Sequence, residues 1–490
     1  MSSHRQQWQQ LLEELAQRQG LAQAMGGAEK LTRQRSKGRL NARERAAQLF
    51  DADSFNEIGA LAGGNHPAGH PPLAGDGVIG GTGLVEGRTV VALLEDFTVM
   101  GGSIGHANAA KRARLVRLAS EQQLPLVIVL DGAGERMGNA AERYPNAPND
   151  LQLVADLQGK VPVVTLVLGS SAGHGALTGM FADLVIINQG ASLFTAGPPL
   201  VEAALGIKVT AEELGGAVMH TSESGVAHNL VSTEAEAFAQ ARRFLSMLPL
   251  RAGEAPPQSR DSVGADANDV DALLDIIPPG TDRAYDIREV LATLADAGSV
   301  MPLQPDYGRS MVCALCRFGG VAAMVIANQP MVFAGAITCE AAQKATHFID
   351  LAHNFGLPLV SLLDNPGVMP GPEAERAGVL RAAGRMFAAQ RRYRGRKVVV
   401  TLRKAFGFGS SVMGMNPWDR QAISLALPSV NLGGIPALGG AQAARSSAEE
   451  SAQVQANQSG AWVPADAMAF DKVINPVALR REIIAALQRD

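Results

Sequence analysis

Short, unbroken apolar runs punctuate the chain from Val78 onward. They fall at residues 89–94, 126–130, 161–168 and 184–187, and again at 321–326, 358–363 and 398–402. Parallel strands buried on both faces read this way, without polar alternation. Between the runs lie segments with apolar residues at helical spacing, such as 109–119 and 150–157. Strand alternating with helix predicts layered α/β domains. The first 45 residues are different. Leu11, Leu12 and Leu15 form a short helical stripe, and a basic stretch follows with Lys30, Arg33, Arg35, Lys37, Arg39, Arg43 and Arg45. This predicts a helical arm over 1–45 that either packs on a partner or captures a polyanionic ligand. Residues 251–270 are rich in Pro, Gly, Asp and Ser and read as a linker. The expected domains are therefore 46–255 and 271–490.

The two halves repeat each other. Leu124-Pro125-Leu126-Val127 leading to Asp131-Gly132 parallels Leu357-Pro358-Leu359-Val360 leading to Asp364-Asn365-Pro366-Gly367. Val163-Val164-Thr165-Leu166, ending in Gly169-Ser170-Ser171-Ala172-Gly173-His174-Gly175, parallels Val399-Val400-Thr401-Leu402, ending in Gly407-Phe408-Gly409-Ser410-Ser411. A duplicated domain explains both.

Composition narrows the picture. Apolar residues make up 47% of 490, enough for two large cores. The formal net charge of −4 lacks the basic excess of a nucleic-acid binder. Three cysteines cannot build a disulfide framework. No signal-peptide order and no membrane-length apolar run are found, so a soluble cytoplasmic protein is expected. The C-x-x-C of Cys313 and Cys316 has only Cys339 to join it, so two small strand residues, and no metal site, are expected. Neither an H-E-x-x-H nor a G-x-x-x-x-G-K-[ST] motif occurs.

What remains is the pair of glycine-rich turns, each between a buried strand and a helix. Small residues there let backbone N–H groups face a ligand, and a helix start adds partial positive charge. Such donors suit a thioester oxygen that gains charge in a transition state. Asp131 and Asp364 each end a repeat strand in a turn, where a structural role rather than that of a general base is expected.

Several stretches resemble the carboxyltransferase (β) subunits of propionyl-CoA, acetyl-CoA and methylcrotonyl-CoA carboxylases. They are Leu40-Asn41-Ala42-Arg43-Glu44-Arg45, Gly75-Asp76-Gly77-Val78, Asp96-Phe97-Thr98-Val99-Met100-Gly101-Gly102-Ser103 and Asp131-Gly132-Ala133-Gly134-Glu135-Arg136. Gly215-Gly216-Ala217, Ser224-Gly225-Val226-Ala227-His228, Ala327-Asn328-Gln329-Pro330, Asp364-Asn365-Pro366-Gly367 and Arg403-Lys404-Ala405-Phe406-Gly407 continue the likeness. The resemblance implies two tandem crotonase-like (ClpP/crotonase) α/β domains. The first would bind acyl-CoA and the second biotin, with sites at a dimer interface inside a hexamer.

It further implies transfer of CO2 from carboxybiotin to the α-carbon of a short-chain acyl-CoA such as acetyl-CoA or propionyl-CoA. The amides of Gly173 and His174 would hold the enolate, and those of Phe408 and Gly409 the biotin carbonyl. Gly101, Gly102, Gly134, Arg136, Gly367 and Ser411 would line the substrates, and Arg35, Lys37, Arg39 and Arg43 would meet CoA phosphates. No biotin-attachment sequence or ATP-grasp domain is present, so a biotin carboxylase/biotin carrier (α) subunit is the implied partner. The chain departs from the family pattern at His174 and Phe408, where glycine is usual, and at Ser411, where propionyl-type enzymes carry Asp. The segment after Gly439-Gly440-Ala441 is also short. Two other readings fit the same residues: the carboxyltransferase subunit of an acyl-CoA decarboxylase, and a non-catalytic assembly subunit.

Overall fold

Each apolar run becomes a central strand. The computed structural model describes residues 3–63, 73–136, 149–259, 269–416, 421–435 and 447–488. The centre of the expected linker and Gly439-Gly440-Ala441 lie outside the described residues. The chain divides into two compact units, Met1–Ser246 with Leu250–Ala252, and Met247–Pro249 with Gly253–Asp490.

The first unit is built on a seven-stranded sheet in sequential order. Its strands are β1 (Asn56–Glu57), β2 (Val78–Val85), β3 (Arg88–Glu95), β4 (Leu126–Leu130), β5 (Val163–Val167), β6 (Leu184–Asn188) and β7 (Asn229–Val231). β1, β2 and β3 pair antiparallel, and every later neighbour is parallel. Parallel neighbours need crossovers, and helix α4 (His106–Gln122) supplies the one from β3 to β4. Leu115, Val116 and Ala119 of α4 pack with Leu126, Ile128, Val163 and Val167 of the sheet in one buried cluster. Full burial of each Leu, Val or Ile contributes about 1.5–3 kcal/mol.

The N-terminal segment forms α1 (Ser3–Ala24), α2 (Ala28–Ser36) and α3 (Ala42–Leu49). Leu11 and Leu12 of α1 stay more than half exposed. The segment after α1 is bound into the first unit. The amide of Gly26 donates to Thr98 Oγ1 at 3.0 Å. Asn41 and Glu44 form a capping box that starts α3, and that start turns the fully buried Arg45 inward.

The second unit repeats the plan. β8 (Met301–Leu303), β9 (Met311–Phe318), β10 (Val321–Asn328), β11 (Leu359–Asn365), β12 (Lys397–Phe406) and β13 (Gln421–Ala426) run in sequence. β14 (Asn431–Gly433) pairs with β12, and β15 (Lys472–Val473) closes the sheet beside β13. The first three strands are again antiparallel and the rest parallel. One numbering offset carries the pair Val91–Leu126 onto Met324–Leu359, so the two sheets share strand register as well as order. Cys313 and Cys316 are buried in β9, where loss of solvent pushes the Cys313 thiol up to about 12. No described helix is long and apolar enough to cross a membrane.

Candidate active site

In parallel sheets, loops after the carboxyl ends of strands form ligand sites. In the first unit three such loops converge. The loop after β3 turns through Met100, Gly101 and Gly102, all with φ between 50° and 64°. A Cβ on Gly102 would lie 2.6 Å from the Asp131 carbonyl oxygen, so only glycine permits the contact with the loop after β4. Gly134 in that loop has φ 82°, and a Cβ there would fall 2.6 Å from the carbonyl oxygen of Ala172. Ala172 is the N-cap of α6 (Gly173–Gly179), which follows β5, and Gly173 has φ 58°. The sequence-predicted Gly101, Gly102, Gly134, Gly173 and His174 thus sit on mutually touching loops. Arg136 is committed to the scaffold. It pairs with Asp76 at 2.9 Å and donates to the hydroxyl and carbonyl oxygens of Ser103.

The second unit forms the matching turn. A Cβ on Gly335 would lie 2.2 Å from the Asp364 carbonyl oxygen. Helix α9 (Gly407–Val412), in chain order after α7 (Glu234–Met247) and α8 (Cys339–Asn354), opens on Gly407 with φ 57°. A Cβ on Gly409 would lie 2.7 Å from both Asn365 Oδ1 and Gly367 Cα, which brings Gly367 and Gly409 together. Phe408, between Gly407 and Gly409, is 56% exposed. Ser411 is half-buried, and its carbonyl accepts from Asn416 at 2.9 Å. The first amides of α6 and α9 have no intrahelical acceptor, so each turn presents backbone donors beside a strand end.

Beneath both turns lies a fully buried aspartate held by a guanidinium. Arg45 Nη1 donates to Asp131 Oδ2 at 2.9 Å, and Arg45 also grips Glu234 of α7 at 2.8 and 2.9 Å. Burial works against the Arg45 charge, but Glu234 and Asp131 outweigh it and hold the guanidinium above its usual pKa. In the second unit Arg403 Nε donates to Asp364 Oδ2 at 2.8 Å, and the Lys404 amide donates to Oδ1 at 3.2 Å. Arg403 also donates to the carbonyls of Gly280 and Arg283 and stacks on Tyr285.

The basic stretch splits into two groups. Arg35 is paired with Glu44 at 2.6 Å and Arg43 with Glu57 at 2.8 Å. Lys30, Lys37 and Arg39, together with Arg33, which is itself paired with Glu29 at 3.0 Å, line a cavity of about 200 Å³ that also includes Phe97 and Gly101. Arg39 also lies 3.7 Å from Asp131.

Sequence reading missed Glu95, Arg112 and Asp150, which are buried and linked to His174. Arg112 Nη1 meets Glu95 Oε1 at 3.0 Å, and its Nε meets Asp150 Oδ2 at 2.6 Å. Asp150 Oδ1 in turn meets His174 Nε2 at 2.7 Å. Two local signals were available. Glu95-Asp96 closes an apolar strand with charge, and Asn149 and Gln152 form a capping box that sets Asp150 at the start of α5 (Asp150–Ala155).

Comparison with known proteins agrees with this architecture. A family profile described as the carboxyl transferase domain matches residues 33–488. The chain is 35% identical over 436 residues to the biotin-dependent long chain acyl-coenzyme A carboxylase beta4 subunit of Mycobacterium tuberculosis, covering 88% of this chain and 82% of that protein. It is 32% identical over 403 residues to methylmalonyl-CoA decarboxylase subunit alpha of Veillonella parvula, covering 81% of this chain and 79% of that one. Among solved structures, transcarboxylase 12S, described as a hexamer assembly with methylmalonyl-coenzyme A and methylmalonic acid bound, superposes with a TM-score of 0.91. Its sequence identity is 30%, and the match covers 98% of this chain and 95% of that chain. The chain therefore belongs to the carboxyl transferase family, as a biotin-dependent acyl-CoA carboxyltransferase with two tandem crotonase-like units.

Proposed function

We propose that this chain moves a carboxyl group between carboxybiotin, borne by a separate carrier subunit, and the α-carbon of a short-chain acyl-CoA. The observation that carries this reading is the paired turn: Gly173 and Gly407, with φ of 58° and 57°, each open a helix immediately after a parallel-paired strand, Ser170–Ala172 and β12 respectively. An α-proton next to a thioester is weakly acidic, so the enolate oxygen needs donors fixed in advance. The amides of Gly173 and His174 supply them, and those of Phe408 and Gly409 suit the ureido carbonyl of biotin. The crowding of Gly409 against Asn365 and Gly367 supports a fixed turn there, because a Cβ on Gly409 would clash with both. Carboxybiotin supplies the carboxyl group when bound. Gly101, Gly102 and Gly134 shape the acyl side, and Lys30, Arg33, Lys37 and Arg39 offer charge to CoA phosphates.

Domains 46–255 and 271–490 would thus take acyl-CoA and biotin respectively, in a hexamer of cytoplasmic subunits served by a biotin carboxylase/biotin carrier subunit. Asp131 and Asp364 are occupied by guanidinia, which supports a structural role rather than that of a general base.

A decarboxylase partnership is the second reading, because the Veillonella relative is named for that reaction. It uses the same transfer step in reverse. The deciding experiment incubates the chain with carboxylated carrier protein and a panel of acyl-CoAs. Carboxyl transfer to acetyl-CoA or propionyl-CoA is expected, and no transfer to any member overturns the reading. Acyl length is tested at Ser411. Ser411→Ile should lower activity on longer acyl-CoAs more than on acetyl-CoA, within the about 1–3 kcal/mol per methylene that such a pocket discriminates. Equal losses would remove Ser411 from the acyl pocket.

A further inference from the structure

A buried polar relay runs through the first unit. The Asp131 amide donates to Glu95 Oε2 at 2.8 Å, Glu95 is held by Arg112, Arg112 holds Asp150, and Asp150 meets the imidazole of His174. Glu95, Arg112 and Asp150 are each no more than 3% exposed, whereas the His174 side chain is 16% exposed. One end of the relay is therefore the loop after β4, and the other is the first turn of α6. The turn also rests on the relay's middle, because a Cβ on Gly175 would lie 3.0 Å from Glu95 Oε1.

Burial opposes ionisation of Asp150, but Arg112 and His174 outweigh it and hold its carboxyl well below the usual range. Burial pushes Glu95 up despite Arg112. The shorter of Arg112's two ion pairs is the one with Asp150, at 2.6 Å against 3.0 Å for Glu95, and Asp150 bears directly on His174.

The second unit provides an internal control. At the offset that maps Asp131 onto Asp364, Glu95 becomes Asn328 and Arg112 becomes Ala345. Asn328 Oδ1 still accepts the Asp364 amide at 3.2 Å. The relay stops there, and Phe408, which takes the place of His174, projects into solvent. Both turns keep the first link, and only the first unit extends it to a side chain on the donor turn itself.

We infer that His174 is a positioning residue: its imidazole, anchored by Asp150, fixes the first turn of α6 so that the amides of Gly173 and His174 keep their aim on the thioester oxygen. The inference rests on the carboxyltransferase reading above. Glycine at this position provides the amide but no anchor. Histidine provides both, and a small misaim of fixed donors is enough to slow a reaction on the order of a hundredfold.

The test is steady-state carboxyl transfer from carboxylated carrier protein to propionyl-CoA by the full-length chain. Three variants are compared: His174→Gln, whose amide N–H can reach Asp150 as Nε2 does, His174→Asn, which is too short, and His174→Gly. The Asn and Gly variants should lose kcat on the order of tenfold to a hundredfold. Their KM for propionyl-CoA and their melting temperature should stay near wild type. Gln should restore most of kcat. A role in stability alone would lower the melting temperature and leave kcat at permissive temperature intact, and that result overturns the inference. So does a Gln variant no faster than Asn. Absence of transfer by the wild-type chain would instead strike the functional reading beneath it.

Discussion

In the first unit the aspartate under the donor turn takes its guanidinium from Arg45, on a helix near the start of the chain. In the second unit Arg403 supplies it from β12, the strand beside Asp364. The two solutions exclude each other locally. The residue that corresponds to Arg403 is Gly169, and a Cβ there would strike Asp131 Oδ1 at 1.8 Å. The first unit therefore has no room for a side chain on the strand and recruits a cation from elsewhere. Duplication preserved the buried carboxylate and the backbone around it and left the source of its countercharge free to change.

The largest effects should come from removing either cation. Arg45→Leu or Arg403→Leu strips a buried carboxylate of its hydrogen-bonded guanidinium and leaves only a more distant cation, Arg39 at 3.7 Å or Lys404 at 3.5 Å, which should destabilise by about 3–5 kcal/mol. Denaturant titration measures it. A loss below about 1 kcal/mol for Arg45→Leu would mean that Arg39, already 3.7 Å away, takes over, and the asymmetry would be shallower than drawn.

A smaller effect should follow Asn328→Asp, which gives the second unit the carboxylate of the first. Ala345 provides no guanidinium to meet it, so about 1–3 kcal/mol of stability should be lost. The further change Ala345→Arg should restore part of that loss if the offset between the units holds at side-chain level.

The buried lysines sharpen the comparison by pH. Lys111 has Glu57 3.7 Å away, while Lys344 donates to the carbonyls of Gln304 and Tyr307. Burial lowers both lysines to about 8, and for Lys344 no carboxylate ion pair among the described contacts opposes it. An unfolded lysine titrates near 10.4. Below about 8 both states hold the proton and the folded state bears the full penalty of the buried charge. As pH rises toward about 10 the folded state sheds the proton first, so this penalty fades. Wild type should therefore gain stability relative to Lys344→Met over that interval. A difference that does not change with pH would show that the two carbonyls keep Lys344 charged throughout.

The smallest effect concerns the basic cavity. Lys37→Gln combined with Lys30→Gln should raise KM for acyl-CoA by about two- to fivefold, as expected for exposed ion pairs, and flatten its salt dependence. Arg35→Gln and Arg43→Gln should change KM less, because their charges already serve Glu44 and Glu57.

Much of the fold was legible because doubly buried parallel strands advertise themselves as apolar runs. Residues 126–130 became a strand with those bounds, and 398–402 falls within β12. The donor turns were legible because positive φ and close backbone contacts demand glycine, as at Gly102, Gly134 and Gly409. The relay was not. Arg112 sits in α4 beside Lys111, Arg114 and Arg117 and looks like one more solvated charge. Its partners lie 17 and 38 residues away, and only the packing of α4 on the sheet turns it inward. The partition of the basic stretch was hidden for the same reason. Glu44 and Glu57 decide which arginines stay available, and neither announces its partner in sequence.

The clasp around Asp131 also sets an order of events during synthesis. Arg45 is made early, but its carboxylate partners lie 86 and 189 residues downstream. Until α7 has left the ribosome, Arg45 has only Asp131 of its two carboxylate partners, and the clasp stays incomplete. Asp364 and Arg403 are only 39 residues apart, so this pair closes within two neighbouring strands and the two helices that link them. Long-range closure is the slower kind. The half of the protein that is translated first is thus the half whose final clasp waits on more chain, and a nascent fragment ending before Glu234 should be recognised by chaperones as unfinished.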